Sequence, residues 1–304
     1  MHHDQTAADI TVAPTLAGAS ALTADAYRLR RLPVGGALQG LISALIGVEV
    51  KVPGPIPLAV APHEAMVLSV QFSHGDDPIG LKGEAGVNTR LTGIRNHAGH
   101  FHGAGNCTTL LALLTPIGVV RLLEGRPLGQ APRLLAKVAE LLDHRLTCTL
   151  ERELATTPDL EDRLRSFAHW LESRALNARQ VDRGALRAGR AATRLCREPA
   201  ADVERLAAEQ QVSRRQLERD FARWVGTSPR HLTQVARLQR VSRRACRGAS
   251  LADIAADVGF ADQAHMSRVV RALTGLTPRQ FIRSESSPLK EAFREATGGN
   301  TVYL

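Results

Sequence analysis

The spacing of apolar residues changes along the chain, from short alternating runs in the first third to helical spacing beyond it. Runs such as Gly47–Val52 and Met66–Phe72 alternate or are rich in β-branched residues, and Gly and Pro separate them, which predicts strands. Apolar positions three and four residues apart predict helices over Arg133–Leu150 and Leu160–Leu176, and Asp159 is placed to cap the second. The pattern therefore predicts an α+β protein, with a β-rich N-terminal domain, a helical extension and an all-α C-terminal domain.

The same pattern sets the expected boundaries along the chain. Small and polar residues form a tail at the start, and a second tail follows the last helical pattern. The predicted segments are a disordered tail over 1–24, a β-rich part over 25–106, a helical part over 107–180, an all-α domain over 187–285 and a C-terminal tail over 286–304.

One arrangement of two short helices occurs twice in the C-terminal part. In each copy a Ser or Asp is placed to cap each helix, a tight turn joins the two, and Gly follows the second helix. Gly259 lies in the second turn, where the backbone needs a conformation that only Gly adopts without strain. Two capped helices on a tight turn are the pattern of a helix-turn-helix. The four predicted caps are Asp202, Ser213, Ser250 and Asp262.

A longer helix is predicted between the two copies, over Pro229–Arg247. At 1.5 Å per residue, its 18 or so residues span roughly 27 Å. A rod of this length can hold two recognition helices near the ~34 Å repeat of successive major grooves of DNA. The spacing therefore favours a protein that contacts one face of a DNA duplex twice.

Positive charge is concentrated in the same part of the chain. Arg187–Arg283 contains 19 Arg, no Lys and 9 acidic residues, whereas the remainder holds 20 basic and 21 acidic residues. A basic segment on a near-neutral body is the electrostatic pattern of a nucleic-acid-binding domain. A GC-rich genome would favour Arg over Lys, but it would not explain why acidic residues thin out only in this segment.

Charged residues lie on the outward face of the second helix in each copy. Arg offers a planar fork that donates to two acceptors on guanine in the major groove and also pairs with phosphates. The alternative is that this charged face is only solvated surface. Because the same helix pair occurs twice on a long connecting helix, that interpretation is harder to support. The outward residues are Arg214, Arg215, Glu218, Arg219 and Arg223 in the first copy, and Gln263, His265, Arg268 and Arg271 in the second.

Two segments carry a family resemblance. Leu251–Arg268, which reads LADIAADVGFADQAHMSR, and Leu273–Phe281, which reads LTGLTPRQF, resemble the signature of AraC/XylS-type transcription regulators. The first copy is similar to the corresponding part of the family, and the resemblance covers about Ala191–Arg283. Met266 and Val270 stand where the family usually has aromatic residues, so we expect altered core packing there and retained DNA binding.

The resemblance implies which residues face the bases. In the first copy these positions are Arg215, Glu218 and Arg219, and in the second they are Gln263, Ala264, His265 and Arg268. Ala264 can offer only a methyl contact. For each residue the alternatives are a phosphate contact or no contact, and Arg219 and Arg268 are the strongest candidates for reading a base.

The resemblance also sets expectations for the rest of the chain. It implies a sequence-specific DNA-binding transcription regulator, not an enzyme, whose residues 25–180 sense a small molecule or mediate dimerisation. Thr109–Gly129 is the part most similar to the sensor region of one subgroup. Candidate partners are promoter DNA, RNA polymerase, an unidentified effector and a second copy of the chain. No cofactor is expected.

The start of the chain and its cysteines indicate the compartment. Residues 1–25 lack the apolar stretch of a secretory signal, and the four Cys are dispersed without a CxxC pair. The longest apolar runs are too short to span a membrane. We therefore expect a cytoplasmic protein with free thiols.

The sequence leaves other functions open, namely metal binding, catalysis and purely structural DNA binding. His97, His100 and His102, with Cys107 nearby, are residue types that bind zinc or copper, but their spacing fits no common zinc motif. An enzyme such as a DNA-repair methyltransferase fused to this DNA reader would need a nucleophilic Cys motif, which the surroundings of Cys107 lack. Glu64, between His63 and His74, has no nucleophile beside it. A structural DNA binder without a sensing function is the third alternative.

Overall fold

The computed structural model describes residues 26–52, 56–73, 87–103, 106–128, 135–137, 144–177, 181–245, 249–283 and 294–295. The predicted tails at 1–24 and 286–304 lie outside these residues, apart from positions 294–295. Strands dominate the first part of the described chain and helices the second, so the predicted α+β class is confirmed. No helix within the described part is long and apolar enough to cross a membrane.

Six of the described strands form one antiparallel sheet in the order β1-β2-β7-β4-β5-β8, and β3 and β6 pair separately. The predicted strands at Gly47–Val52 and Met66–Phe72 correspond to β2 and β4. The strand bounds are β1 Tyr27–Leu32, β2 Ile42–Lys51, β3 Ile56–Val60, β4 Met66–Ser73, β5 Val87–Thr92, β6 Gly99–Gly103, β7 Asn106–Leu114 and β8 Leu135–Lys137.

Two sequence-based expectations are wrong in the middle of the chain. The helical part was expected from residue 107, but Asn106–Leu114 is the strand β7, which lies between β2 and β4 near the centre of the sheet. A short apolar run fits a buried strand as well as a helix, so its period did not separate the two. The predicted helix Arg133–Leu150 fails at its start, where Leu135–Lys137 pairs with β5, and the helix there begins at His144.

Helices follow from residue 116 onward. Thr115 caps the first, its side chain accepting from the Gly118 amide. The predicted cap Asp159 is confirmed, since its carboxylate accepts from the Glu161 amide. The helix bounds are α1 Pro116–Leu122, α2 His144–Thr156, α3 Leu160–Leu176, α4 Arg183–Arg197, α5 Val203–Glu209, α6 Arg214–Trp224, α7 Pro229–Ala245, α8 Leu251–Val258, α9 Gln263–Thr274 and α10 Pro278–Arg283.

One apolar core runs from the sheet into the first helix pair of the C-terminal part. It joins Leu45 and Leu110 of the sheet to Phe167 of α3, then continues through α4 to Phe221 of α6. The α7 helix leaves this core midway along its length. Its first half contributes Leu232 and Val235 to the main core, whereas its second half contributes Leu238 and Val241 to a second core formed with α8, α9 and α10. The first helix pair is therefore packed as part of the N-terminal body, and the second is a separately packed unit on the same helix.

Candidate nucleic-acid interface

The first helix pair is α5 and α6, and its predicted caps are confirmed. The Asp202 carboxylate accepts from the Glu204 amide, and the Ser213 hydroxyl accepts from the Gln216 amide. The turn between the helices places Gln211 at a positive φ of 56°. Leu217, Phe221 and Trp224 are buried, as predicted for the inward face of α6. An N-cap of this kind contributes about 1 kcal/mol to the helix it begins.

The second helix pair is α8 and α9, and it repeats the arrangement. Ser250 caps α8 and Asp262 caps α9, each accepting from the amide three residues on. Gly259 adopts the left-handed conformation, with φ 83°, as its place in the turn requires. Met266 and Val270 are fully buried, so these departures from the family pattern lie in the core as expected.

Arg214 and Glu218, two of the predicted DNA-contacting residues, bind each other. Arg214 Nε donates to Glu218 Oε1 at 2.8 Å, and Arg214 also pairs with Glu204 of α5. The hydrogen bonds that Arg214 donates to Glu218 and Glu204 raise the pKa of its guanidinium above the ordinary value. This exposed network joins the two helices of the first pair. It also occupies Glu218, which would have to leave Arg214 in order to accept from a base.

A chain of hydrogen bonds connects Arg219 to a buried ion pair. Arg187 Nε of α4 donates to Asp220 Oδ2 at 2.8 Å, and Gln216 Nε2 donates to Asp220 Oδ1 at 2.8 Å. The Oε1 atom of Gln216 then accepts from the guanidinium of Arg219. The Asp220 side chain is only 7 % exposed and that of Arg187 19 %. The direction of Arg219 is therefore set from the core side of α6 through Asp220 and Gln216.

The other predicted residues of α6 lie at its surface. Arg215 is exposed, and it lines a surface concavity together with Ser213, Gln216 and Arg219. Arg223 is exposed and its guanidinium lies 4.6 Å from the centre of the Trp224 ring. A guanidinium held on an aromatic ring is oriented without losing its charge. Arg215 and Arg219 give this concavity a positive charge.

The outward face of α9 is less constrained. Gln263, Ala264, Arg268 and Arg271 are exposed, and His265 is half-buried with its ring edge-on to Phe260 at 5.5 Å. Across the part of the chain that the structure describes, Arg268 and Arg271 form no hydrogen bond or ion pair. Neither guanidinium group is therefore tied to another described residue, and both face solvent.

The histidines of the metal hypothesis come from one strand and the turn before it. His97 is exposed, and His100 and His102 lie on β6 opposite Ala59 and Pro57. Over the described residues, no cluster of three or more His, Cys, Asp or Glu side chains is placed to hold a metal ion.

Sequence reasoning missed the residues that position the predicted ones. Arg187, Gln216 and Asp220 were not predicted to matter, although an acidic residue on the apolar face of a helix is itself a signal of a buried ion pair. Asp220 follows Leu217 by three residues and therefore shares its inward face, which the helical period predicts.

Comparison with known proteins gives one match to a family model. The helix-turn-helix domain family matches residues 206–284. No curated protein matches the chain.

Two named proteins are among the solved structures that match this chain. ToxT from Vibrio cholerae O395 is 11 % identical over 85 % of this chain and 98 % of its own, with a TM-score of 0.36. The same protein bound to (E)-4-(8-methylnaphthalen-1-yl)but-3-enoic acid is 10 % identical over 85 % of this chain and 98 % of its own, with a TM-score of 0.39. The AraC-like transcriptional activator CuxR is 11 % identical over 65 % of this chain and 80 % of its own, with a TM-score of 0.19.

The family match and the geometry agree on the C-terminal part of the chain. The matched residues begin within α5 and contain the rest of both helix pairs, the connecting α7 and three of the four confirmed caps; Asp202 lies just before the match. Residues 206–284 belong to the helix-turn-helix domain family, and the two capped pairs on one connecting helix make this the AraC-type domain of a DNA-binding transcription regulator.

Proposed function

We propose that the chain is a one-component regulator in which residues 187–285 read a promoter site and residues 25–180 sense a small molecule or mediate dimerisation. The observation that carries the proposal is the pair of recognition helices, α6 and α9, each capped at its start and each presenting exposed Arg to solvent. Arg219 and Arg268 are the residues assigned to base reading. The chain then acts by binding and not by catalysis, in the cytoplasm, where its DNA target lies.

The shared core supports a coupling between the two parts. Because α4 packs against α1 on one side and α6 on the other, a change in the N-terminal body moves the first recognition helix directly. An effector alters DNA affinity only if it binds one arrangement of the protein better than another. The continuity of the core provides the physical route for such a difference.

The central strands of the sheet are buried on both faces. Leu45 of β2 points into the main core, whereas Ala44, Ile46 and Val48 belong to a separate apolar cluster with Leu113 of β7. Both clusters are already buried within the chain. The central strands therefore serve as core, and the assignment of sensing or dimerisation to residues 25–180 rests on the family resemblance.

Selection from random-sequence duplexes with the full-length protein tests the proposal. We expect enrichment of sites that share two short conserved elements, and an affinity that falls steeply with salt because several phosphates are contacted. Binding that is equally strong to every duplex would leave a basic protein without a reading function, and would contradict the proposal. Adding RNA polymerase to the protein–DNA complex tests whether polymerase is a partner. The molecular mass of the protein in solution tests whether two copies associate.

Arg268→Ala tests base reading in the second unit. The free guanidinium of Arg268 can form a bidentate contact with guanine, so its loss is expected to cost about 1–3 kcal/mol of binding and to relax specificity at one base position. Kd is measured for the selected duplex and for its single-base variants. Arg190→Ala, an exposed Arg of α4 outside both helix pairs, is the matched control. An equal loss on every duplex would make Arg268 a phosphate contact instead.

A further inference from the structure

Two loops of the N-terminal part dock on the second helix-turn-helix unit. One is 61–64, between β3 and β4, and the other is 95–98, between β5 and β6. We call their contact with α7 and α9 the seam. In it, the Ala98 amide donates to the Leu273 carbonyl at 2.7 Å, and Nε2 of His231 lies 2.9 Å from the Arg95 carbonyl oxygen. Ala61 is buried in the core of the second unit.

The seam contains polar groups that its contacts only partly satisfy. Gln239 of α7 is fully buried and its Nε2 donates to the Pro62 carbonyl at 2.7 Å, but its Oε1 finds no hydrogen-bond partner among the described residues. Glu64 is 14 % exposed, and its Oε2 is likewise buried without a described partner. A buried acceptor left unpaired costs about 1–3 kcal/mol, and more when it is charged.

The charges around Glu64 compensate its carboxylate weakly. Arg243 of α7 forms a long ion pair with Glu64, with its Nη1 3.8 Å from Glu64 Oε1, a distance beyond hydrogen bonding. His63 in the same loop and Arg240 of α7 also favour the carboxylate, whereas Cys196 of α4 is the acidic group that faces it. Burial outweighs these cations and raises the pKa of Glu64 above its ordinary value.

We propose that Glu64 is a protonation-dependent latch, which holds the seam closed as a neutral carboxyl and loosens it as a carboxylate. A neutral carboxyl gains a donor and loses the charge that the buried site solvates poorly. Loosening the seam frees α9 and the second half of α7 from the N-terminal loops, while the first unit and the first half of α7 stay in the main core. The latch therefore controls how the second recognition helix is held relative to the first.

The direction with pH follows from the raised pKa. Glu64 binds its proton more tightly in the closed seam than in the open one. The stability that this proton adds to the closed seam is fully present below the ordinary pKa of a glutamate. It is lost as pH rises through the raised pKa of Glu64 in the closed seam. Between these two pKa values, the equilibrium between closed and open seam shifts by up to about tenfold per pH unit toward the open form.

The consequence for DNA rests on the proposed function. Gln263, Arg268 and Arg271 remain exposed while the seam is closed, so the closed seam does not cover the reading face of α9. A closed seam instead holds the second helix in place before DNA arrives, which lowers the ordering cost of binding. We expect the closed form to bind the two-element site more tightly than the open form.

Hydrogen exchange of the full chain tests the latch without DNA. The Ala98 amide reports the seam directly, and its protection is followed from about pH 5 to pH 8, the range around ordinary Glu and His titration. In the wild type we expect protection, relative to the Glu64→Gln variant at each pH, to fall as pH rises. Glu64→Ala also lacks the titrating group, so its Ala98 protection should not fall with pH in this way. His63→Asn retains Glu64, so its Ala98 protection should still fall as pH rises. Glu153→Gln, which replaces an exposed glutamate of α2, is the matched control.

An identical pH response of Ala98 protection in the wild type and in Glu64→Gln would overturn the latch.

A second arm measures Kd for the selected duplex in the same pH series. The ratio of the wild-type Kd to the Glu64→Gln Kd is expected to rise with pH as the seam opens. A constant ratio, alongside exchange that responds to pH, would overturn the coupling to DNA. Absence of specific binding at every pH would instead reject the proposed function, and the exchange result would still decide whether Glu64 latches the seam.

Discussion

Asp220→Ala is expected to lower the free energy of unfolding by about 2–4 kcal/mol, because it leaves the Arg187 guanidinium buried without its partner. The loss falls below the largest values known for buried pairs, since Arg187 remains 19 % exposed and water screens part of its charge. Gln216 loses its acceptor as well, so Arg219 is no longer oriented from the core. We therefore expect a weaker, less specific DNA contact at the position that Arg219 reads, in addition to lower stability.

Urea denaturation of the full chain measures the first effect, and Kd on duplexes varied at single bases measures the second. Glu198→Ala is the control, because the Arg194–Glu198 pair on α4 has the same chemistry but is more than half exposed at both side chains. Such exposed pairs are worth about 0–1 kcal/mol. A loss at Asp220 no larger than the loss at Glu198 would show that the buried pair does not fix α6 to α4.

Gly118→Ala is expected to cost about 3 kcal/mol or more, at the upper end of overpacking effects. A Cβ at Gly118 would lie 1.8 Å from the Leu41 carbonyl oxygen and 2.7 Å from its carbon, both of them backbone atoms. The α1 helix cannot shift freely, because the Thr115 amide donates to that same oxygen at 2.9 Å. Any shift also reaches α4, where Gly189 lies against Ile117.

Thermal or urea unfolding measures the change, with Gly35→Ala as the control. A Cβ at Gly35 meets nothing within 4 Å, and φ there is −149°, which any residue adopts. We expect that control to change stability by about 0.5 kcal/mol at most. Equal stabilities of the two variants would mean that the N-terminal body tolerates movement of α1, and would weaken the argument that it controls the first recognition helix through α4.

The C-terminal domain was predictable because its rules are local. A Ser or Asp cap, a turn Gly and three or four apolar positions determine each short helix, and none of these depends on distant residues. Ser213, Asp262 and Gly259 accordingly have the predicted roles. The exposed Arg of α6 and α9 followed from the same period.

The middle of the chain was less predictable because its structure depends on distant pairing. The β7 strand lies between β2 and β4 inside the sheet. Its apolar run therefore has no solvent-exposed face and no clear alternation of apolar and polar residues. The strand β8 is three residues long and exists only through its pairing with β5. No local pattern distinguishes such segments from a helix.

Positioning contacts were the least predictable part of the site. The pair Arg187–Asp220 joins residues 33 positions apart, and Gln239 meets Pro62 across 177 positions. Sequence periodicity predicts that Asp220 faces inward, but it does not identify the residue that Asp220 meets. The same holds for Glu64, whose neighbours on α4 and α7 come from the other end of the chain.

Hydroxyl-radical footprinting of the full chain on a selected duplex tests the central claim most directly, namely that two recognition helices read one duplex. The α7 helix spans 17 residues, or about 26 Å, and connects the two units. We predict protection in two patches on one face of the duplex, about one helical turn apart, with Arg268→Ala relaxing specificity at one base position in only one of them. A single protected patch, or protection that ignores sequence in both patches, would contradict the account.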